Sequence, residues 1–211
     1  IMKGKEIKQI NNLRFVKGKI QEKECVLVKS GIGKVNAARA TQMMIDNFKV
    51  DYVISLGVAG SLVGMLNTGD VVVAKRVVQH DFDITAFGHS KGYITGVGAY
   101  IESDISLVDE FGEVMQGIPE RNYKIKMGVL ASGDIFCTEA WMKDKIRAKF
   151  DADVVDMESA AVGQVCYLNE KPFIAIATVS NTPNGRNTMI FDDNLRLCSK
   201  RCANVLKEFL T

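Results

Sequence analysis

Apolar segments typical of strands alternate with amphipathic segments typical of helices along most of the chain. Residues 70–79 are strongly apolar and rich in valine, which predicts a buried strand, whereas residues 34–48 have the apolar spacing of a helix. Strands that alternate with helices form a mainly parallel sheet with helices on both faces. The sequence therefore predicts an α/β fold: a three-layer single domain over residues 1–211, whose central mixed, mainly parallel sheet is flanked by helices.

The predicted elements continue in this order to the C-terminus. The first predicted elements are the two strands of a hairpin, whose turn is at residues 22–23. No helix or strand is predicted before this hairpin. The full set is a hairpin at 15–20 and 25–29, helices at 34–48, 103–115, after 138, at 157–168 and from about 192, and strands at 52–56, 70–79, 125–130, 154–155 and 173–179.

The composition indicates a soluble protein with no electrostatic preference for nucleic acid. The net charge is only +2 over 211 residues, and basic and acidic side chains are interspersed. No apolar run is long enough to span a membrane, and no signal peptide is evident. Five cysteines without regular spacing are typical of a reducing compartment, and the two histidines are too few for a zinc site. We expect a cytoplasmic protein that binds neither nucleic acid nor membranes and holds no metal.

Two glycine-containing segments follow predicted strands. The amides of residues 30–34 (SGIGK) could bind an anion or a hydroxyl-rich ligand, and the small residues of 57–61 (GVAGS) would let the backbone approach a ligand closely. Neither segment matches a Walker loop or a dinucleotide fingerprint, and either could be a tight turn. Both fall at the carboxyl ends of strands, where ligands bind in open α/β sheets, which favours binding modestly.

Polar and aromatic side chains follow the other strands. Glu158 stands where a strand turns into a helix, and such a carboxylate can accept two hydrogen bonds from a ribose diol or simply complement the helix dipole. Met157 offers a soft apolar surface to a sugar ring. Phe136 could stack on a heterocycle whose edge the Cys137 backbone would bind, or it could pack in the core. The polar residues 180–182 could cap a loop or face a ligand.

Five of these segments, in unbroken order, resemble the 5′-methylthioadenosine/S-adenosylhomocysteine nucleosidases of the nucleoside phosphorylase superfamily. The resemblance extends from about residue 13 to the C-terminus. The motifs are residues 30–38 (SGIGKVNAA), 57–62 (GVAGSL), 80–88 (HDFDITAFG), 132–136 (SGDIF) and 156–158 (DME).

The resemblance implies a hydrolase without a cofactor that releases adenine from methylthioadenosine and adenosylhomocysteine, in methionine salvage and methyl-cycle detoxification. Separately from the resemblance, the segment 84–100 is apolar and glycine-rich and follows a strand without extending the core pattern, which predicts that it contacts a second subunit in a two-fold homodimer. Among the implied binding residues, Phe136 and Cys137 contact adenine, and Met157 and Glu158 hold the ribose. Ala59 and Gly60 line the floor of the binding site, which also includes Ser180, and Phe191 covers the ligand. Ile84 and Phe87 reach into the 5′-substituent pocket of the partner subunit.

The sequence departs from the family at two catalytic positions. Breaking a ribosyl–adenine bond requires a carboxylate near the ribose, a donor at purine N7 and a base that positions water. Asn181 occupies the place of the family's N7 acid; it can donate a hydrogen bond but no proton, and losing a general acid costs ~10²–10⁴-fold in rate. No residue matches the family's water-activating glutamate, which lies in an N-terminal strand. We expect that strand to precede the sequence rather than to have been lost.

The asparagine leaves several hypotheses open. It could be an engineered exchange, a natural feature of an enzyme that depends more on Glu158, or a mark of selectivity for a 6-oxopurine. The last points to the futalosine hydrolases, which also have Ser-Asn at this place and an Arg-Asn like Arg186–Asn187, although residues 80–88 favour the methylthioadenosine enzymes. A non-catalytic nucleoside-binding homologue is a further alternative. Ser55 occupies the place of the phosphorylases' phosphate-binding arginine, so water is the expected nucleophile.

Overall fold

The computed structural model describes residues 1–118, 121–182 and 187–211, and it describes the side chains of all of these except residues 187–193. The strands are β1 (Lys3–Ile10), β2 (Leu13–Ile20), β3 (Lys23–Val28), β4 (Val53–Ser61), β5 (Val71–Gln79), β6 (Ile101–Glu102), β7 (Ile125–Ser132), β8 (Val154–Asp156) and β9 (Phe173–Asn181). The helices are α1 (Lys34–Asn47), α2 (Ile105–Gln116), α3 (Ala140–Phe150), α4 (Ser159–Leu168) and α5 (Asn187–Phe209), with a short 3₁₀ turn at Thr85–Phe87.

The central sheet is mixed and closes on itself like a barrel. Its strand order is β6-β5-β7-β8-β4-β9, and β9 also pairs with β5. The pairs β4–β9, β5–β7 and β7–β8 are parallel, whereas β4–β8, β5–β6 and β5–β9 are antiparallel. The predicted α/β class with a mixed sheet is confirmed, and the closure by β5 and β9 was not predicted.

Alternate residues of β5 explain why this strand reads as a continuous apolar run. Val72 belongs to a core cluster that also contains residues of α1 and α4. Val71 and Val73 belong to a second cluster, formed with α2, β9 and α5. A strand that is covered by helices on both faces has no face left for polar side chains. The sequence of β5 therefore follows from its position between two helical layers.

The first three strands form a separate antiparallel sheet in the order β1-β2-β3. The predicted hairpin of β2 and β3 is confirmed, with its turn at residues 21–22 rather than 22–23. The strand β1 was missed because its sequence, KGKEIKQI, is charged and almost wholly exposed, so it has no apolar alternation to detect.

Two predicted strand ends were wrong. Residues 57–61 were expected to form a loop, but they continue β4, and Ser180 and Asn181 continue β9. The reason is the parallel ladder between these strands, which runs from the Val53–Phe173 pair to the Gly60–Asn181 pair and satisfies the backbone of the glycine segment. The helix predicted from 157 begins at Ser159, and the helix predicted from about 192 begins at Asn187.

No helix in the described ranges is long and apolar enough to cross a lipid bilayer.

Candidate functional site

The carboxylate of Glu158 is held by backbone amides at the junction between β8 and α4. The amide of Gly33 donates a hydrogen bond of 2.8 Å to its Oε1, and the amide of Met157 lies 3.2 Å from its Oε2. The side chain does not cap its own helix, although Glu158 is the N-cap residue of α4. Burial raises the pKa of Glu158, and the hydrogen bond from Gly33 opposes this rise. The carboxylate is thus held by the distant segment that carries Gly33, and it does not cap the first turn of α4.

Asp156 fixes the backbone that carries Glu158. Its carboxylate accepts hydrogen bonds from the hydroxyls of Ser132 and Ser159, and the amide of Glu158 lies 3.2 Å from its Oδ1. Burial raises the pKa of Asp156, while these hydrogen bonds lower it. Asp156 belongs to the motif at 156–158, but no role was predicted for it. The available signal was a pair of serines that prove to be buried, at the end of one strand and the start of one helix.

Asn181 ends β9 and is only 3% exposed. The hydroxyl of Ser180 lies 2.9 Å from Oδ1 of Asn181 and 3.3 Å from the carbonyl oxygen of Ala59. A Cβ on Gly60 would lie 3.2 Å from Nδ2 of Asn181, so the missing side chain gives the amide its space. The four residues predicted at the floor and base edge, Ala59, Gly60, Ser180 and Asn181, are therefore adjacent.

Gly60 connects this group to Glu158, the predicted ribose carboxylate. It pairs with Asn181 of β9 on one side and with Val155 of β8 on the other. Met157 and Glu158 follow β8 directly, so both halves of the predicted site lie at the same end of the sheet.

The loop that follows β7 carries Phe136 and Cys137. Phe136 is 41% exposed and Cys137 is buried. The exposure of Phe136 argues against the alternative that it packs in the core. Asp134 of the same loop accepts a 2.8 Å hydrogen bond from the amide of Lys34, which follows the residue bonded to Glu158. The predicted purine loop and ribose carboxylate are therefore joined through residues 33–34.

The segment 30–34 was expected to bind a ligand or to form a tight turn. In the structure its amides at Gly33 and Lys34 bind the carboxylates of Glu158 and Asp134. Its contribution to a site is therefore indirect.

Further predictions concern Ile84 and Phe87, the segment 84–100 and Phe191. Phe87 is 81% exposed, and Ile84 is half-buried just before the 3₁₀ turn. In the segment 84–100, Ile94 is buried, and Val97 packs against the core cluster that contains Val72. Part of the segment is therefore covered within its own subunit, and only the rest is available to a partner. The side chain of Phe191 lies outside the described residues, and its role stays a prediction.

Neither a metal nor a phosphate site is apparent in the described part of the chain. No group of three or more histidine, cysteine and acidic side chains could hold an ion there. The hydroxyl of Ser55 lies 3.0 Å from that of Ser159, which in turn binds Asp156. A short neutral side chain engaged in this way provides no charge for a phosphate.

Comparisons with known proteins show the family of this chain. The sequence model of the phosphorylase superfamily matches residues 2–211. The 5′-methylthioadenosine/S-adenosylhomocysteine nucleosidase of Bacillus velezensis is 39% identical over 196 residues, which cover 90% of this chain and 83% of that protein. The chain belongs to the phosphorylase superfamily and, within it, to the 5′-methylthioadenosine/S-adenosylhomocysteine nucleosidase family.

Two solved structures show the same fold. The nucleosidase of Neisseria meningitidis, in complex with methylthio-immucillin-A, has a TM-score of 0.94 and 32% identity, with 99% of this chain and 90% of that chain covered. The futalosine hydrolase of Helicobacter pylori has a TM-score of 0.90 and 35% identity, with 97% and 86% covered.

Proposed function

We propose that the protein is an N-glycosyl hydrolase that releases adenine from 5′-methylthioadenosine and S-adenosylhomocysteine. The observation that carries the proposal is the placement of Glu158, whose carboxylate is held by the amides of Gly33 and Met157 at the same sheet end as Asn181. The named nucleosidases similar to this chain support the same reaction.

In the reaction, the bond between ribose C1′ and purine N9 breaks, and its electron pair goes to the purine. Positive charge develops on the ribose ring, where the carboxylate of Glu158 stabilises it while accepting hydrogen bonds from the ribose hydroxyls. Asn181 donates a hydrogen bond from Nδ2 to N7 but transfers no proton. Water then adds to C1′ and loses a proton to solvent, and the purine anion takes up a proton from solvent, so the products are the free sugar and neutral adenine. We infer that the chain works in an impaired form, because a missing general acid costs ~10²–10⁴-fold in rate.

We infer that a water-activating base like that of the family would lie beside β4. Among the described residues, Val53–Ala59 of β4 pairs only with β9, and Gly57 is exposed. A strand on the other edge would end near Gly60, between Glu158 and Asn181. A glutamate presented at this edge would face the same end of the sheet as Glu158 and Asn181.

We further propose a cytoplasmic homodimer. Exposed apolar side chains also occur at Ile32 and Val35, around the start of α1, and at Ile135, in the loop after β7. Contacts of Lys34 and Asp134 with Asp81 hold these segments beside the loop that leads to Phe87. Exposed apolar patches of this kind mark interaction sites, and a partner would bring Phe87 towards a second 5′-substituent pocket. The five cysteines, all free thiols, support a reducing compartment.

The test is a comparison of ligands by thermal unfolding. A ligand that binds only the folded protein stabilises it by about 2.7 kcal/mol at a hundred times its Kd. We expect 5′-methylthioadenosine to raise Tm, Glu158→Gln to abolish most of the shift, and Glu113→Gln to retain it. Glu113 is an exposed control on α2, which packs on the other face of the sheet.

The released base distinguishes the alternatives. Adenine released from methylthioadenosine supports the proposal. Stabilisation by futalosine or inosine without any by methylthioadenosine would favour a 6-oxopurine nucleosidase, which Asn181 and the similarity to futalosine hydrolase make the second candidate. Binding of methylthioadenosine without release of any base would indicate a nucleoside-binding homologue.

A further inference from the structure

Three loops around the site are tied together by a closed ring of hydrogen bonds. The amide of Lys34 donates to Oδ1 of Asp134 at 2.8 Å, and the amide of Asp134 donates to Oδ2 of Asp81 at 2.9 Å. The ammonium of Lys34 closes the ring on Oδ1 of Asp81 at 2.6 Å. One residue each comes from the start of α1, the loop after β5 and the loop after β7. The three loops therefore cannot shift independently while the ring is intact.

Of the three contacts in the ring, the one between the side chains of Lys34 and Asp81 is partly removed from water, which strengthens it. The side chains of Lys34 and Asp81 are only 17% and 18% exposed. Burial alone would raise the pKa of Asp81, but the hydrogen bonds from Lys34 and from the amide of Asp134 outweigh it and lower the pKa. Lys34 also donates to Gln79 at 3.0 Å, and Gln79 contacts Gln164 of α4.

A lysine is an unusual residue for the first turn of a helix. The helix dipole places partial positive charge there, which disfavours a cation. The N-cap residue of α1, Gly33, provides no side-chain cap, and Asp134 satisfies the amide of Lys34 from outside the helix. The cost of this arrangement points to a role beyond forming α1.

The ring is joined to Glu158 through one residue. Gly33 has φ of 94°, a conformation that favours glycine, and a Cβ there would lie 3.1 Å from Asp134. Its amide donates to Glu158 at 2.8 Å, and the next amide along the chain is held by the ring. The direction of the Gly33 amide is therefore set by the same contacts that fix the purine-side loop.

We propose that Lys34, Asp81 and Asp134 are positioning residues that aim the Gly33 amide at Glu158 and so fix the ribose carboxylate relative to the purine-binding loop. This inference rests on the proposed function, because it concerns how the two sides of the glycosidic bond are aligned. Small displacements of a positioned group cost up to ~10²-fold in rate, so such a ring has a functional use.

The first experiment needs no ligand. The ionisation of Glu158 is followed by NMR in the unmodified protein, Lys34→Met, Lys34→Arg and a control, Lys126→Met. Lys126 pairs with Asp153 at 3.5 Å outside the site. Burial raises the pKa of Glu158, the hydrogen bond from Gly33 lowers it, and the neighbouring charges of Asp156 and Asp134 raise it. Loosening the ring should therefore raise the pKa of Glu158 in Lys34→Met.

We expect Lys34→Arg, which keeps a cation and its donors, to restore most of the original titration, and Lys126→Met to leave it unchanged. An unchanged titration of Glu158 in folded Lys34→Met would overturn the inference. If Lys34→Met does not fold, Asp81→Asn serves in its place, because it removes the negative charge and replaces one of the two acceptor oxygens by an NH₂ group, which cannot accept the bond from Lys34 or from the Asp134 amide.

The second experiment measures the affinity for 5′-methylthioadenosine by calorimetry. We expect Kd to rise about tenfold in Lys34→Met, equivalent to about 1.4 kcal/mol, and to change little in Lys126→Met. An unmodified protein that does not bind this nucleoside would refute the proposed function, whereas the titration of Glu158 would still decide the role of the ring. Equal losses of affinity in Lys34→Met and Lys126→Met would count against the ring.

Discussion

Asn181→Asp restores the residue type that the family uses to protonate the purine. The change is nearly isosteric, and the side chain sits at the end of β9 with its Oδ1 within 2.9 Å of the Ser180 hydroxyl. That hydrogen bond can be retained on one carboxyl oxygen while the other carries the proton for N7. The site is almost fully buried, and burial favours the protonated form of a carboxyl group, which is what a general acid requires.

The expected gain follows from the role of the proton. A general acid contributes ~10²–10⁴-fold, and the lower end of this range corresponds to about 3 kcal/mol of barrier. We therefore expect adenine release from methylthioadenosine to rise by ~10²-fold or more in Asn181→Asp. The assay is single-turnover hydrolysis, which separates the chemical step from product release. Asn204→Asp, an exposed position on α5, is the control and should leave the rate unchanged.

Three outcomes would refute the reasoning or redirect it. An active parent whose rate does not change in Asn181→Asp would show that proton transfer to N7 is not the missing step. Loss of activity on a 6-oxopurine nucleoside would identify the parent as a natural enzyme for that base, because the new carboxylate would face O6. Negligible rates on every nucleoside in both proteins would favour the nucleoside-binding homologue.

Three further predictions concern assembly and stability. Light scattering should show a dimer at micromolar concentration, and Phe87→Asp should dissociate it. Leu168→Asp, a control at an exposed position on α4, should leave the dimer intact. A monomeric parent would contradict the proposed assembly. His80 is 6% exposed, and burial lowers its pKa, so the folded protein favours the neutral imidazole. The free energy of unfolding should therefore fall as the pH drops below about 6.5, the ordinary pKa of histidine. Denaturant unfolding between pH 8 and 5 should show this loss of stability, and the loss should be smaller in His80→Gln. Gly133→Ala should destabilise the protein by about 1–3 kcal/mol, because the new Cβ would overlap the His80 ring, while Gly64→Ala has open space and should be nearly neutral in the same assay.

Local pattern predicted the elements whose burial is simple. The sequence of β5 predicted a strand because both of its faces are covered, and α1 and α2 had clear helical spacing. The strand β1 has charged residues and little burial, so no pattern revealed it. Gly57 was assigned to a loop because glycine is typical of loops, and only the ladder with β9 makes it part of a strand.

The site was predicted from residue types in motifs, and its connections were not. Glu158 was identified as a ribose carboxylate, but sequence alone could not show that its partner is the amide of Gly33, 125 positions away. The contacts of Lys34 with Asp81 and Asp134 join three distant segments in the same way. Backbone donors carry no side-chain signature, so contacts of this kind require the tertiary structure.

The closure of the central sheet has a consequence for the order of folding. The strands β5 and β9 pair at Val71 and Thr178, more than a hundred residues apart in the chain. Joining such distant segments carries a large loop-closure entropy, so this pairing is expected to form late and slowly. Because β9 ends in Asn181, a nascent chain that has not yet completed the closure has no purine-binding edge. Competence to bind a nucleoside should therefore appear only with the final cooperative step, and a refolding protein should acquire helical signal before it acquires affinity.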